Sequence, residues 1–480
     1  MLVTQGMAGK IKRVAGSGLA CVGTMLVLIG ACTGDRVIIG AQMCPDLSGG
    51  PPAVGPLPSP KQVELQRLEL TAYLHFGLAT FDPGTTPPAS SFNPTSFDAK
   101  EWVAELKNAG FRQAVLVAKH ENGFCLWPTA TTDYSVKSSP WKNGQGDVVK
   151  EFTEAARAAG MRAGLYLSPV DHNFPSTSAA YESYLRNQLT ELLSNYGPIF
   201  ELKFPGNSAP ATVDWAGIAQ LAHQLQPDTL VWIGPEIATT GSDARYAGIR
   251  GTRATSSVAD VPNGGPKNVW YPAEVEVPDR PNNQWFWSST ISEISLSELQ
   301  SIYFTSVGRN TTLVFNVPPS PTGQFDTQEI QLLRDFGDWY ASLYRTNLVH
   351  AQPITADSTW ASPGFDAAKA VDNDICTSWA AASGATSGRL ELTPRSPMTL
   401  QVISMREPIE RGERVTAYHV EIRQNGTWDR APMDASGVTI GGSVIGQRQL
   451  WQVNPTTVDA IALVIDAARG EPAIAEFGLY

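Results

Sequence analysis

Cysteine is scarce, with five in 480 residues. Cys21 and Cys32 fall in an apolar N-terminal segment. Cys44, Cys125 and Cys376 are too scattered for a zinc site and allow one disulfide at most. Charge is sparse as well, at 17% of residues, and 35 Lys+Arg against 46 Asp+Glu leave a net charge of −11. Without a basic excess the chain cannot displace the counterions of a polyphosphate, which excludes nucleic acid as a partner. Gly-rich phosphate loops are absent, so a dinucleotide or P-loop fold finds no support. No internal repeat is visible. What is abundant is apolar material, 42% of the chain, with 13 Trp and 13 Tyr. That suffices for a core needing neither disulfide nor metal staple, and no metal or cofactor is expected. The aromatics suit stacking on sugar rings, although aromatics more often build cores.

Residues 1–32 read as an address. Lys10, Lys12 and Arg13 precede an apolar run from Val14 to Ala31, the pattern of a secretory signal. The run closes Leu28-Ile29-Gly30-Ala31-Cys32, which resembles a bacterial lipobox whose Cys32 is acylated. A single membrane-spanning helix is the other reading of the same run. The resemblance implies an exported protein, anchored by lipid outside the cytoplasmic membrane of a bacterial envelope. Residues 33–62, with Ser48-Gly49-Gly50-Pro51-Pro52 and Pro56-Leu57-Pro58-Ser59-Pro60, read as an unfolded tether.

Over residues 63–346, short β-branched or aromatic runs alternate with amphipathic helices. Candidate strands are Ala72–His75, Gln113–Ala118, Arg162–Leu167, Ile199–Phe204, Thr229–Ile233 and Thr312–Val317. Asp98 with Glu101, Asp147, and Asp326 with Glu329 open helices. The alternation and its length predict an α/β fold, a (β/α)8 barrel of the usual size of about 250 residues, with a doubly wound sheet as runner-up. Barrel chemistry sits at the C-terminal ends of strands. His75, Lys119, His120, Glu121, Asn122, Tyr166, Lys203 and Asp243 are therefore the polar residues to read. From residue 347 to 480 period-2 runs replace helices, which predicts a small antiparallel β-sandwich.

Leu74-His75-Phe76-Gly77, Lys119-His120, Gly123-Phe124-Cys125-Leu126-Trp127-Pro128, Tyr166-Leu167-Ser168-Pro169, Tyr271-Pro272-Ala273-Glu274-Val275 and Asn316-Val317-Pro318-Pro319 follow one another in a family order. Together they resemble the α-L-fucosidases of glycoside hydrolase family 29, most of all the subfamily acting on α-1,3/1,4-linked fucose. Ala370-Val371-Asp372-Asn373-Asp374 through Trp379 is similar to the signature of a discoidin-like module. The resemblance implies a retaining glycosidase working on a fucosylated or related glycan, with two carboxyl groups ~5–5.5 Å apart. It also implies sugar contacts at His75, Lys119, His120, Tyr166, Arg280 and Trp285.

The same resemblance exposes departures. The family nucleophile is the Asp of Glu-Leu-Trp-Phe-Asp-Gly; here the stretch reads Glu201-Leu202-Lys203-Phe204-Pro205-Gly206, so the nucleophile position is Pro205. The second sugar-binding His has become Glu121. The Gly-Asn-Glu that carries the acid/base is matched to Gly241-Ser242-Asp243, which makes Asp243 the candidate acid/base and Glu121 a substitute carboxylate. Plainer readings stand beside these: a structural His75 or His120, an Arg280 surface ion pair, and a Trp285–Trp287 alternation with one ring in the core. A Glu201–Lys203 pair can be purely structural. Three functions stay open: an active exo-glycosidase, a hydrolase rewired onto Glu121 and Asp243, and a catalytically silent carbohydrate-binding lipoprotein.

Overall fold

The computed structural model describes residues 44, 49–175, 178–205, 213–234, 242–249 and 269–480. The signal segment with Cys32, and residues 33–43 and 45–48, lie outside the described residues. Among the described residues no helix is long and apolar enough to cross a membrane.

The Gly/Pro-rich stretch is a strap rather than a free tether from Gly49 onward. A proline-rich chain makes no internal hydrogen bonds, so its carbonyls are free for other donors. Trp360 Nε1 donates to the Gly49 carbonyl at 2.7 Å, Arg411 to Pro51 at 3.0 Å and Arg414 to Pro52 at 2.5 Å. A Cys44–Cys376 disulfide fastens the same segment to the C-terminal module. Ser59 then caps α1 (Pro60–Leu68) in a reciprocal box with Gln62. The helix is buried although largely polar, because its side chains find partners beneath the sheet. Gln62 donates to the Asp243 and Trp270 carbonyls, both at 2.8 Å, and Trp270 Nε1 donates to Gln66 at 2.8 Å.

Eight parallel strands follow: β1 (Leu70–Leu74), β2 (Gln113–Lys119), β3 (Arg162–Leu167), β4 (Glu201–Phe204), β5 (Leu230–Ile233), β6 (Arg245–Ile249), β7 (Ala273–Val277) and β8 (Thr311–Asn316). Their order is 5-4-3-2-1-8-7-6, a barrel path whose two ends are β5 and β6. The helices between them are α2 (Leu78–Phe81), α3 (Ala99–Asn108), α4 (Val148–Ala158), α5 (Tyr181–Asn195), α6 (Trp215–Leu225), α7 (Leu296–Thr305) and α8 (Thr327–Leu343). Asp147 and Asp326 cap as expected, the latter in a full capping box with Glu329; Asp98 caps through Lys100 N alone. Strands β6 and β7 were not among the sequence-predicted ones. In β7 the alternation is inverted, with Glu274 and Glu276 buried, so an inward face reads as an exposed one.

Residues beyond 347 form antiparallel sheets of six, three and two strands around their own apolar core. The period-2 runs of this region include the long strands Met398–Arg406, Val415–Gln424, Gln449–Val458 and Ala460–Ala468. The Asp372 motif builds a local turn: its carboxylate accepts from Asp374 N at 3.0 Å and from Thr377 Oγ1 at 2.8 Å. The module docks on the barrel through Glu69, buried between Arg406 at 2.7 Å and Arg448 at 2.8 Å. Asn310 extends the seam, donating to Glu413 at 2.7 Å and accepting from Gln447 N at 2.8 Å.

Glu69→Ala strips the carboxylate from two buried guanidinium groups. A cost of about 3–5 kcal/mol is expected, read as a lower denaturation midpoint with both domains unfolding together. A midpoint within error of wild type contradicts this account of the seam.

Candidate functional site

The residues at the C-terminal mouth of β1, β2, β3, β7 and β8 converge on His75. Its ring lies 5.0 Å from Trp285, 5.5 Å from Phe286, 5.9 Å from His120 and 6.1 Å from Tyr166, centroid to centroid. His120 stacks on Tyr166 with 9° between planes and meets Phe286 edge-on at 5.0 Å. Tyr73 closes the floor beneath His75 at 4.7 Å. Burial holds His75 down to about 3, helped by His120, and holds His120 down to about 4, helped by His172. Both imidazoles are thus neutral at neutral pH, and each can accept one hydrogen bond and donate another. Burial pushes the Tyr166 phenol up, and the charge of Glu121 adds to it, which places that carboxylate beside the pocket.

Below the floor the barrel interior carries charge where branched apolar residues are usual. Lys203 sits 3.3 Å from Glu201 and 3.6 Å from Glu276, and bonds closely to Glu274. Its ammonium also lies 5.0 Å from the Trp232 ring and 5.8 Å from the Tyr73 ring. The Lys203 and Glu201 side chains are fully buried. Burial, and then the charge of Glu274, lift Glu201 to about 8, so it carries a proton at neutral pH. The Glu201–Lys203 pair expected on one strand face is real. It is one edge of a four-residue network.

Three expected site residues lie elsewhere. Lys119 faces outward because β2 is irregular between Val117 and Lys119, which puts Lys119 in register with Leu167 rather than in the barrel. It pairs with Asp171 at 3.0 Å among the rings of Tyr181 and Tyr184. Gly123, at φ +87°, makes room for that pair, since a Cβ there would stand 2.2 Å from Asp171 Oδ1. Asp243 precedes β6 and therefore lies at the opposite, N-terminal end of the sheet. It covers the edge of β5, accepting from Val231 N at 2.8 Å, donating its own N–H to the Val231 carbonyl at 2.7 Å, and meeting His223 at 3.0 Å. Arg280 is neither a hydroxyl binder nor a surface ion pair. It is fully buried, bonded to Asp279, to Glu293 at 2.6 Å and to Glu329 at 2.7 Å. These three carboxylates converge closely enough to hold a metal ion, and the Arg280 guanidinium is the cation they hold.

His75, His120, Tyr166, Glu121 and Trp285 are brought together at the mouth, and half-buried Pro205 follows β4 at the same end. Phe286 was missed by sequence reasoning. Of Trp285 and Trp287 only Trp285 faces the pocket, with Phe286 beside it, while Trp287 Nε1 donates to Asp326 at 2.6 Å.

The α-L-fucosidase family model matches residues 71–343, which are β1 to α8. The chain belongs to the α-L-fucosidase family. It is 35% identical over 455 residues to "Alpha-L-fucosidase 1" of Arabidopsis thaliana, covering 88% of this chain and 87% of the relative. Among solved structures, a glycoside hydrolase 29 family member from an unknown rumen bacterium superposes with a TM-score of 0.74 at 29% identity, covering 89% of this chain and 78% of that one. A Ruminococcus gnavus GH29 fucosidase in complex with fucose gives 0.78 at 26% identity, covering 92% and 98%. The matched fucosidase segment contains the mouth residues and the whole buried network, and it excludes the C-terminal sheets.

Two outcomes follow from the charges. His75 and His120 are depressed below the ordinary imidazole value of ~6.5, so the unfolded chain takes up protons that the folded one refuses. Their contribution is full above that value and is lost as pH falls towards 3–4. Melting curves should therefore drop more steeply between pH 6.5 and 4, given in round figures, for wild type than for His75→Gln; parallel curves contradict the assignment. Lys203→Met leaves Glu274 and Glu276 buried without their cation, beside an already protonated Glu201, at a cost of about 3–5 kcal/mol. Denaturant titration should show a smaller loss in acid, where carboxylates can protonate, and a pH-independent loss contradicts the network.

Proposed function

We propose that this α-L-fucosidase relative is an exported, lipid-anchored protein that recognises a terminal fucose or a related sugar and has given up the double-displacement reaction. The observation that carries this is Pro205. It follows β4 at the mouth, two residues beyond Lys203 and four beyond Glu201, and strand alternation puts those three on one face. The family's nucleophilic Asp stands at this position by resemblance, and a pyrrolidine ring offers no nucleophile, acid or base.

The candidate acid/base, Asp243, precedes β6 and stands against Val231 at the other end of the sheet, away from the mouth. Catalytic groups of a barrel sit where strands end, and β6 ends at Ile249. General acid–base help is worth about 10²–10⁴-fold by itself, and losing the nucleophile as well leaves little. Recognition needs less. Neutral His75 and His120, the Tyr166 hydroxyl and the apolar faces of Trp285 and Phe286 supply hydrogen bonds and a stacking wall for a deoxy sugar.

A second reading has one observation behind it. The charge of Glu121 adds to the raised Tyr166 phenol, so one carboxylate borders the pocket and supports a reading of slow hydrolysis of another sugar. Export is supported by the Cys44–Cys376 disulfide, a bond that persists in oxidising compartments. The C-terminal sheets are read as a discoidin-like module that stabilises the barrel and adds weak sugar contacts through its loops.

The mature chain, beginning at residue 33 to keep it soluble, is to be tested by calorimetry with L-fucose and by hydrolysis of an aryl α-L-fucoside. Saturable binding with turnover at least ~10³-fold below an ordinary family member is expected. Efficient turnover with retention of configuration overturns the proposal. In the full-length chain, acyl labelling should appear and should vanish in Cys32→Ala.

A further inference from the structure

Asn316 ends β8, is fully buried, and stands beside Tyr73 in the β1–β8 register. Its amide makes three contacts. The oxygen Oδ1 lies 2.7 Å from His75 Nδ1, while Nδ2 donates to the Trp285 carbonyl at 2.7 Å and to Asp279 Oδ1 at 3.3 Å. An amide oxygen and an amide nitrogen look alike in shape, so the assignment must come from the partners. Here the Trp285 carbonyl decides it. A main-chain carbonyl can only accept, so the atom facing it is the NH₂ group. Turning the amide over would set two acceptors against each other at 2.7 Å.

The consequence passes to the imidazole. With Oδ1 facing it, Nδ1 of His75 must carry the hydrogen, since Oδ1 cannot donate. A neutral imidazole has only one N–H, so Nε2 is left as a lone pair. No described residue hydrogen-bonds Nε2, and the walls around the ring are Trp285, Phe286, His120 and Tyr166.

We propose that Asn316 is a positioning residue that locks His75 as a hydrogen-bond acceptor towards the pocket and pins the Trp285–Phe286 wall to the same imidazole. The ligand group that meets His75 is then a donor, a sugar hydroxyl rather than a carbonyl or an ether oxygen. This last step rests on the sugar-binding reading; the tautomer does not. One amide thus joins strand β8, the mouth of β1 and the loop after β7. The titratable groups around His75 are His120 from the end of β2, Tyr166 from β3, Tyr73 from β1, and Asp279 behind Asn316. His120 is itself held neutral, and the two phenols are pushed up. Burial and His120 keep His75 uncharged against the small opposing pull of the Asn316 amide, whereas a carboxylate at the same distance would favour imidazolium.

The test is ¹⁵N-histidine NMR on the mature chain, with sugar binding measured across pH. In wild type, the His75 Nε2 resonance should fall in the unprotonated range and Nδ1 in the protonated range; the reverse pattern overturns the proposal without reference to any ligand. Asn316→Asp keeps the shape and brings a charge, and because it also sets an acceptor against the Trp285 carbonyl and Asp279, the ¹⁵N shifts of His75 in this variant are read before its affinity. The variant should convert His75 to imidazolium near neutral pH, turn Nε2 into a donor, and weaken fucose about tenfold, the worth of one hydrogen bond. Affinity should return as pH rises and His75 loses its proton. An Asn316→Asp protein with wild-type affinity and a flat pH profile also overturns the proposal. If wild type binds no fucose, the sugar reading fails while the Nε2 resonance still decides the tautomer.

Discussion

The ammonium of Lys203, sunk in the barrel among Glu201, Glu274 and Glu276, is the constraint on which the rest of the site depends. Three carboxylates cannot be buried together unless some are protonated and the rest are paired. Lys203 supplies the pairing and a raised Glu201 supplies the proton. The network fills space that apolar side chains fill in most barrels, and it supports Tyr73 and hence the floor under His75. It also bears on the chemistry above it. A carboxylate restored at Pro205 would share a strand face with this ammonium, and pairing with it would blunt its nucleophilicity.

The mouth is arranged on the opposite principle. His75, His120 and Tyr166 are neutral polar groups set among aromatic faces, an environment suited to hydroxyls rather than to developing charge. The ionic groups nearby are spoken for: Lys119 by Asp171, and Arg280 by Asp279, Glu293 and Glu329. These two cations hold loops in place from behind. The strap, the Cys44–Cys376 disulfide and the Glu69 seam do the same on a larger scale, binding the chain's beginning and end to one body.

Much of this was legible in the sequence. Period and capping gave six of the eight barrel strands and the helices opened by Asp98, Asp147 and Asp326, and period-2 runs gave the four long strands of the C-terminal module. The misses have physical causes. Glu274 and Glu276 made β7 look solvent-facing, because alternation reports polarity and not direction. Without β6 in view, Asp243 was taken for the end of a strand when it precedes one. Lys119 was displaced by a one-residue irregularity, which moves a side chain to the other face and leaves no trace in composition. Arg280 was read as exposed because the acidic residues that bury it are 13 and 49 positions away in sequence. Asn316 carried no signal of its own, since its importance lies in the geometry of a single amide.

The central claim is that the sugar pocket persists while the covalent route is closed. The most direct measurement is intact-protein mass spectrometry after incubation with a 2-deoxy-2-fluoro-fucosyl fluoride, a reagent that traps glycosyl-enzymes because its intermediate hydrolyses slowly. The account predicts an unmodified mass for wild type alongside ordinary labelling of an active family member. A fluorofucosyl adduct on the wild-type chain, mapped to any carboxylate at the mouth, would contradict it.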